Sequence, residues 1–157
     1  NVEAVTVGLG DCYTFGPTFR AENSHTSRHL CEFWMIEPEM AFATIEDDMS
    51  CAEDYINSAQ VRSREQQADL TFFDQRIEKG LIERLEHVAN SDFKRISYTE
   101  CVEILEADLK DKKKKLKFEN KVYWGCDLAT EHEKYLTDKV FQGPIIVYDY
   151  PRDIKAF

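Results

Sequence analysis

Two runs of aromatic and apolar residues near the start of the chain, at 13–19 and 33–36, flank a polar stretch at 23–28. Aromatic and β-branched residues fit the half-buried surface of a strand better than they fit a loop. Apolar runs that are interrupted by a polar stretch are typical of neighbouring strands. The pattern therefore predicts an antiparallel pair of strands joined by a long loop.

The middle of the chain has a helical pattern. Residues 45–70 are polar and acidic and contain neither Gly nor Pro. Apolar side chains then recur at the spacing of one helical face, so two helices are expected after the strand pair. The residues of that face are Phe73, Ile77, Leu81, Leu85 and Val88.

A further helix is expected to begin near Thr99, which can cap it. Its buried stripe would be Val102, Leu105 and Leu109, and a run with six lysines at 110–117 ends the pattern.

The last forty residues mix strand and helix patterns. Strands are predicted at 121–124 and 144–150, and Thr130 with Glu133 forms a capping-box pattern that opens a helix between them. Strands and helices do not alternate regularly, as they would around a parallel sheet. We therefore expect the α+β class, with an antiparallel sheet flanked by helices.

Composition narrows the function classes. The 157 residues are 43% hydrophobic, which is enough to form a folded core. The net charge of -10 excludes a generally basic nucleic-acid-binding surface. No uncharged apolar run approaches the roughly 20 residues that cross a bilayer, so no membrane association is expected. The five cysteines form no Cys-x-x-Cys pair, which favours reduced thiols in a reducing compartment.

Two short motifs fail as functional signatures. Gly8 and Gly10 begin a dinucleotide-binding pattern, but Tyr13 stands where its third glycine is needed. His132 begins a zinc-protease pattern, but Leu136 stands where its second histidine is needed, so no metal site is predicted. His132 is better interpreted as a core or boundary residue.

Charged residues interrupt the two aromatic strands. Alternate residues of a strand share a face, so Arg20 lies with Glu22, and Phe33 lies with Glu37. Charged groups beside large apolar ones are costly unless they are paired or hydrated, which suggests a cleft lined for a ligand. Cross-strand ion pairs are the alternative, and the pattern alone favours them.

Several short segments together form a recognisable pattern. On the two strands they are FRAE at 19–22, the loop at 23–28, RHLCEF at 28–33, YTFGPT at 13–18 and WMIEPE at 34–39, and further along the chain they are WGCDL at 124–128, EHE at 131–133 and YPRDIKAF at 150–157. The segments at 19–33 resemble motif 2 of a class II aminoacyl-tRNA synthetase, and the others are similar to the asparaginyl-tRNA synthetase family of bacterial type. The similarity covers nearly the whole chain.

The resemblance implies roles for individual residues. Arg20 would be the catalytic residue that holds the ATP α-phosphate, and Glu37 would bind the amino acid. The other ATP-binding positions would be Glu22 near the adenine, Arg28 and His29 at the distal phosphates, Leu30 in the same site, and Phe33 against the adenine face.

The resemblance also implies how the chain is organised. It would form part of one catalytic domain, with the motif 2 hairpin at 11–43, a helical insert at 45–117 and a strand–helix–strand at 121–157. Motifs 1 and 3 and the anticodon-binding barrel would lie outside it, so the chain alone is expected to be inactive. The implied partners are asparagine, ATP, tRNA(Asn), a second subunit in a homodimer, and Mg²⁺ bound mainly by other parts of the enzyme, in the cytoplasm or an organelle.

Two other functions stay open. An ammonia-dependent asparagine synthetase has the same fold, and a non-catalytic interaction module could descend from a synthetase. We interpret the lysines at 110–117 mainly as a solvated loop, with tRNA contact as the alternative.

Overall fold

The structure is a computed structural model that describes residues 2–21 and 29–155, with the backbone alone at 60–64. The chain divides into two compact units, Asn1–Cys51 and Ala52–Phe157. The helices of the described residues are α1 (Val2–Leu9), α2 (Ile45–Glu65), α3 (Gln67–Arg76), α4 (Leu81–Ala89), α5 (Tyr98–Lys110) and α6 (Thr130–Tyr135), followed by a π-helical segment (Leu136–Phe141) and a 3-10 turn (Arg152–Ile154). The strands are β1 (Cys12–Phe19), β2 (Glu32–Glu39), β3 (Lys94–Ser97) and β4 (Ile145–Tyr148).

In the first unit, β1 and β2 form the predicted antiparallel pair. Helix α1 precedes them, although no helix was expected there. It ends at Gly10, which adopts a φ of +80° while its amide donates to the carbonyl of Thr6 at 2.8 Å. A glycine adopts this left-handed conformation without the steric cost of a Cβ, so it ends the helix directly before β1.

The helical face predicted at Phe73 to Val88, for the second of the two helices after the strand pair, is divided between α3 and α4. Ile77 caps the end of α3, and Gly80, at a φ of +88°, precedes α4. One carboxylate oxygen of Asp74 accepts hydrogen bonds from the amides of Gly80 and Ile82, each at 3.1 Å. A continuous helix over this segment is therefore wrong, because the left-handed glycine reverses the chain within the predicted stripe.

The sheet of the second unit is a parallel pair, β3 and β4, whereas that of the first unit is the antiparallel pair. The strand at 144–150 is confirmed as β4, but β3 was not predicted. The α+β class is confirmed, and its antiparallel sheet is the β1–β2 pair. The short, half-polar segment at 94–97 does not show a strand period, which explains why its pattern failed to reveal it.

The predicted strand at 121–124 is wrong, since this segment forms a turn. The amide of Cys126 donates to the carbonyl of Tyr123 at 3.1 Å, and Gly125 has a φ of +94°. The buried hydroxyl of Tyr98 accepts from the Gly125 amide at 3.0 Å and donates to the Cys126 carbonyl at 2.6 Å. A side chain distant in sequence therefore stabilises the turn that follows the predicted strand.

Helix α5 buries Val102 and Leu105 of the predicted stripe, whereas Leu109 is half-buried, and its cap differs from the predicted one. Ser97, not Thr99, is the N-cap residue, and it exchanges hydrogen bonds with Glu100 in a capping box. Thr99 instead accepts from the indole of Trp124 at 3.1 Å. The core of the second unit comprises Ile96, Tyr98, Cys101, Val102, Leu105, Leu128 and Leu136.

The cap of helix α6 lies one residue earlier than the predicted cap, Thr130. Ala129 is the N-cap residue, and its amide donates to Nδ1 of His132 at 3.1 Å. The other ring nitrogen of His132 lies 3.1 Å from the carbonyl oxygen of Asn120. His132 is fully buried, which confirms the core position predicted for it.

Candidate functional site

The candidate site lies on one face of the β1–β2 hairpin. Residues that are paired across antiparallel strands project to the same face, and the face alternates along each strand. In this register Thr14 is opposite Glu37, and Thr18 is opposite Phe33. The predicted adenine-contacting ring and the predicted amino-acid-binding carboxylate therefore share a face. Four residues separate them, or roughly 13 Å at a strand rise of about 3.3 Å per residue.

Arg20 joins this face at the end of β1. Its backbone amide donates to the carbonyl of Cys31 at 2.8 Å, so the pairing continues one step beyond the strand. Its guanidinium carbon lies 5.4 Å from the centroid of the Phe33 ring. A planar cation within about 6 Å of an aromatic ring is attracted to the ring's face. The hairpin thus brings together a planar hydrogen-bond donor and an aromatic surface.

Glu37 is oriented by the opposite strand. The hydroxyl of Thr14 donates to its carboxylate at 3.0 Å. In the described part of the chain Glu37 forms no ion pair. The ion-pair interpretation of this face therefore does not apply to Glu37, whose carboxylate has further acceptor positions for another group.

Sequence reasoning missed Thr14. The residue is unremarkable along β1, and its importance follows only from its position opposite Glu37. A tight turn fixes the register of a hairpin, but β1 and β2 are joined by a long loop. The loop sequence therefore does not show which residues of the two strands lie opposite one another. The available signal was the alternation of β1, which places Thr14 on the same face as Arg20.

The remaining predicted site residues lie around the connecting loop. Glu22 and Arg28 fall at 22–28, outside the described residues. His29 and Leu30 directly precede β2 and are exposed. Their contacts with a nucleotide stay predictions.

The opposite face of the hairpin is apolar. Its large side chains are exposed in the first unit, and the rings of Phe15 and Trp34 lie 5.1 Å apart. The members of this face include Tyr13, Phe15, Phe19, Trp34 and Ile36. Arg20, Phe33 and Glu37 all lie on the other face, so the candidate site is confined to one face of the hairpin.

The segment at 124–128, one of those that carry the family resemblance, contributes to the core of the second unit. Cys126 and Leu128 are buried, and the ring of Tyr98 lies against those of Trp124 and Tyr150 at 6.3 and 5.3 Å. Burial raises the pKa of Tyr150 to about 12, and the nearby Glu133 carboxylate adds to the shift. These residues hold the turn and the helix start in place.

Neither a metal centre nor a membrane span is found among the residues that the structure describes. No group of three or more His, Cys, Asp or Glu side chains there could hold a metal ion. No helix in the same part of the chain is long and apolar enough to cross a bilayer.

Residues 3–157 match the family model for class II tRNA synthetases (D, K and N), and the chain belongs to this family. Within it, the chain is similar to asparagine–tRNA ligases. It is 54% identical over 157 residues to the asparagine–tRNA ligase of Alkaliphilus metalliredigens, covering 99% of the chain and 32% of the relative. It is 53% identical over 157 residues to the cytoplasmic asparagine–tRNA ligase 1 of Arabidopsis thaliana, covering 99% and 27%.

A solved structure supports the same relationship. The chain is 33% identical to asparaginyl-tRNA synthetase from Pyrococcus horikoshii in complex with asparaginyl-adenylate, with a TM-score of 0.74 over 98% of this chain and 32% of that one. The resemblance stated from the sequence motifs is therefore confirmed. The chain spans about a third of the length of the relatives that it matches.

Proposed function

We propose that the full-length protein containing this chain activates asparagine with ATP and transfers it to tRNA(Asn), and that the β1–β2 hairpin carries the ATP and amino-acid site. The observation that carries the proposal is the shared face, on which the Arg20 guanidinium lies 5.4 Å from the Phe33 ring and Glu37 follows on the same strand. A cation, an aromatic ring and a carboxylate on one face can contact the phosphate, the base and the amino group of an aminoacyl-adenylate, respectively.

In the first step the carboxylate of asparagine attacks the α-phosphorus of ATP. A bond forms between a carboxylate oxygen and that phosphorus, and the bond to the bridging oxygen breaks, which releases pyrophosphate. Arg20 would donate to the α-phosphate oxygens as negative charge develops on them, since a planar guanidinium can place two parallel N–H groups on one phosphate. The protein's contribution is positioning and charge stabilisation rather than covalent catalysis.

Glu37 would bind the amino group or the side-chain amide of asparagine. A carboxylate accepts a hydrogen bond from an amide NH₂ group and repels a second carboxylate, so it favours asparagine over aspartate. The Thr14 hydroxyl would keep the carboxylate in position, because it already donates to one of its oxygens at 3.0 Å.

Mg²⁺ is also implied by the family resemblance. Mg²⁺ in nucleotide sites is usually held by one or two carboxylates together with the substrate phosphates, so it does not require a preformed cluster of protein ligands. No step above depends on a metal ligand from these residues. We include Mg²⁺ in the proposal as an ion that accompanies the phosphates.

The proposal extends to assembly and location. The family resemblance implies a homodimer and a single catalytic domain to which residues 11–43, 45–117 and 121–157 all contribute. A relative named as cytoplasmic supports the same location for this protein.

Pyrophosphate exchange in the full-length protein tests the site. Asparagine-dependent exchange into ATP should occur, and Arg20→Lys should lower kcat by about 10²–10³-fold, since lysine keeps the charge but loses the planar donor pair. The matched control is Arg76→Lys, an exposed arginine in α3, which should leave kcat unchanged. Exchange that survives Arg20→Lys at full rate would contradict the assignment of Arg20.

The amino acid that the protein activates and the product that it forms distinguish the alternative functions. Glu37→Gln should reduce the preference for asparagine over aspartate in the same exchange assay. Formation of AMP from aspartate and ammonia without tRNA would instead indicate an asparagine synthetase. A protein that catalyses neither reaction would be an interaction module.

A further inference from the structure

Lysines are concentrated in one short segment of an acidic chain. The lysine segment, residues 110–117, contains six lysines and one aspartate, so it carries a charge of +5 in a chain whose net charge is -10. The remaining residues together therefore carry -15. The acidic composition of the chain therefore does not account for this positively charged segment. A local concentration of positive charge attracts anionic partners.

Hydrogen bonds hold the start of the lysine segment. Asp111 caps the end of α5, and its carboxylate accepts from the amide of Lys113 at 2.9 Å. The Lys114 ammonium donates to Asp108 at 2.6 Å, and the other oxygen of Asp108 accepts from the hydroxyl of Tyr135 at 2.9 Å. The segment is thereby tied to α5 and, through Tyr135, to α6.

Packing holds the other end. The Phe118 ring lies 4.8 Å from the ring of the buried His132 and 5.6 Å from that of Tyr135, with both pairs edge to face. The Glu131 carboxylate then accepts from the amides of Glu119 and Asn120 at 2.9 and 2.7 Å. The lysines therefore lie on a short loop that is anchored on both sides.

The anchoring leaves four of the six cations available. Lys110 is paired with Glu106 at 3.4 Å, and Lys114 is paired with Asp108. The other four are exposed and make no ion pair within the described residues 2–21 and 29–155. They are Lys112, Lys113, Lys115 and Lys117.

We propose that the lysine segment binds the phosphate backbone of tRNA. The inference rests on the proposed function, which brings this polyanion to the protein, and it assigns to the segment a contact that the hairpin site does not provide. Several exposed ammonium groups on one loop match the closely spaced phosphates of a folded RNA, and release of the RNA's counterions drives such binding. The contact would strengthen binding without reading the base sequence.

The surroundings favour RNA over a membrane surface. A segment that binds a lipid interface combines basic residues with an exposed apolar face. Here Leu116 is the apolar residue among the lysines, and it is half-buried. The charge is thus presented without an apolar group that would enter a lipid layer.

The test compares two triple variants of the full-length protein. Lys112→Gln, Lys113→Gln and Lys115→Gln together remove three of the available charges. The matched control is Lys79→Gln, Lys134→Gln and Lys139→Gln, which removes three exposed lysines outside the segment. Aminoacylation gives the KM for tRNA, and pyrophosphate exchange without tRNA gives the KM values for ATP and asparagine.

We expect the segment variant to raise the KM for tRNA by about tenfold or more near 0.15 M salt. It should also reduce the salt dependence of tRNA binding, since each lost phosphate contact removes about 0.9 from the slope of log K against log salt on a B-form duplex. Both KM values in the exchange assay should stay unchanged, and the control triple should match the parent protein throughout. Equal thermal midpoints would show that the variants are folded.

Three results distinguish a failure of this inference from a failure of the proposed function. A segment variant that matches the control triple in tRNA KM, tRNA affinity and salt slope would overturn the inference. Absence of asparagine-dependent exchange in the parent protein would contradict the proposed function, and direct tRNA binding by fluorescence anisotropy would still decide whether the segment binds RNA. Loss of co-sedimentation with phosphatidylserine vesicles, with tRNA binding unchanged, would assign the segment to a membrane surface instead.

Discussion

The guanidinium of Arg20 lies over the ring of Phe33, with its central carbon 5.4 Å from the ring centroid. The two side chains belong to opposite strands and meet because Arg20 continues the pairing beyond β1 through its hydrogen bond to Cys31. The contact orients the planar cation beside the surface on which an adenine ring would stack. The phosphate-binding role that we propose for Arg20 is therefore structurally connected to the base-binding role that we propose for Phe33, and Phe33 is expected to serve both.

Phe33→Leu in the full-length protein should raise the KM for ATP in pyrophosphate exchange. Loss of base stacking alone costs about 1–3 kcal/mol by comparison with nucleic-acid-binding proteins, and Arg20 would lose its cation–π partner as well. Phe33→Tyr keeps the aromatic face and should behave like the parent protein. Equal KM values for the Leu and Tyr variants would contradict stacking at this position.

Thr14→Val should weaken asparagine binding without affecting ATP. The substitution removes the hydroxyl that donates to Glu37 at 3.0 Å, and a hydrogen bond of this kind is worth about 1 kcal/mol, or roughly a fivefold rise in the KM for asparagine. Thr14→Ser retains the donor and should restore the parent value. If the KM for ATP rises equally in Thr14→Val, the hairpin has been disturbed and Thr14 has no separate role in positioning Glu37.

Tyr98→Phe should destabilise the second unit. The hydroxyl of Tyr98 is buried and bonded to the Cys126 carbonyl and the Gly125 amide, so its removal leaves two backbone groups without their partner. A buried polar group left unsatisfied costs about 1–3 kcal/mol, which a fall in the urea midpoint would report. The control is Tyr55→Phe, whose ring is exposed on α2 and which should leave the midpoint unchanged.

The free energy of unfolding should fall as the pH rises from about 9 to 11. Burial, and to a lesser degree the charge of Glu100, raises the pKa of the Cys101 thiol from 9.0 to about 11. Below pH 9 the thiol is protonated in both states, so its full contribution to stability is present there. Above that pH the unfolded chain loses the proton first, and the contribution, no more than about 3 kcal/mol, is lost as the pH approaches 11.

Urea unfolding at several pH values checks this dependence. Cys101→Ala should flatten the fall between pH 9 and 11, although the small cavity lowers stability at every pH. Cys51→Ala, at a half-buried thiol on α2, should leave the slope unchanged. A parent slope that persists in Cys101→Ala would assign the alkaline loss to another group, such as Tyr150, whose pKa is about 12.

The sequence pattern predicted the elements in which the spacing of apolar residues shows the face that is buried. The stripe of Val102 and Leu105 predicted α5, and the apolar runs around 13–19 and 33–36 predicted the hairpin. Prediction failed where a partner distant in sequence determines the conformation. The segment at 121–124 has the composition of a strand, but the Tyr98 hydroxyl binds the backbone that follows it and stabilises a turn.

The helix starts show the same limitation on a smaller scale. Thr99 and Thr130 are both suitable caps, but Ser97 and Ala129 are the cap residues. At Ala129 the side chain cannot accept a hydrogen bond, and the imidazole of His132 accepts from the Ala129 amide instead. That arrangement depends on burial of the imidazole against the core, which a cap preference does not describe.

The sequence by itself determined the α+β class, the family, the hairpin and the face shared by Phe33 and Glu37, because strand alternation and helical periodicity are properties of neighbouring residues. Only the tertiary structure decided that Thr14 orients Glu37, that Arg20 lies over Phe33, and that β3 pairs in parallel with β4. Each of these depends on which residues of two separate segments lie opposite one another. That choice is made by the packing of the whole unit, since a long connection leaves the register free until the side chains on both segments are buried or bonded.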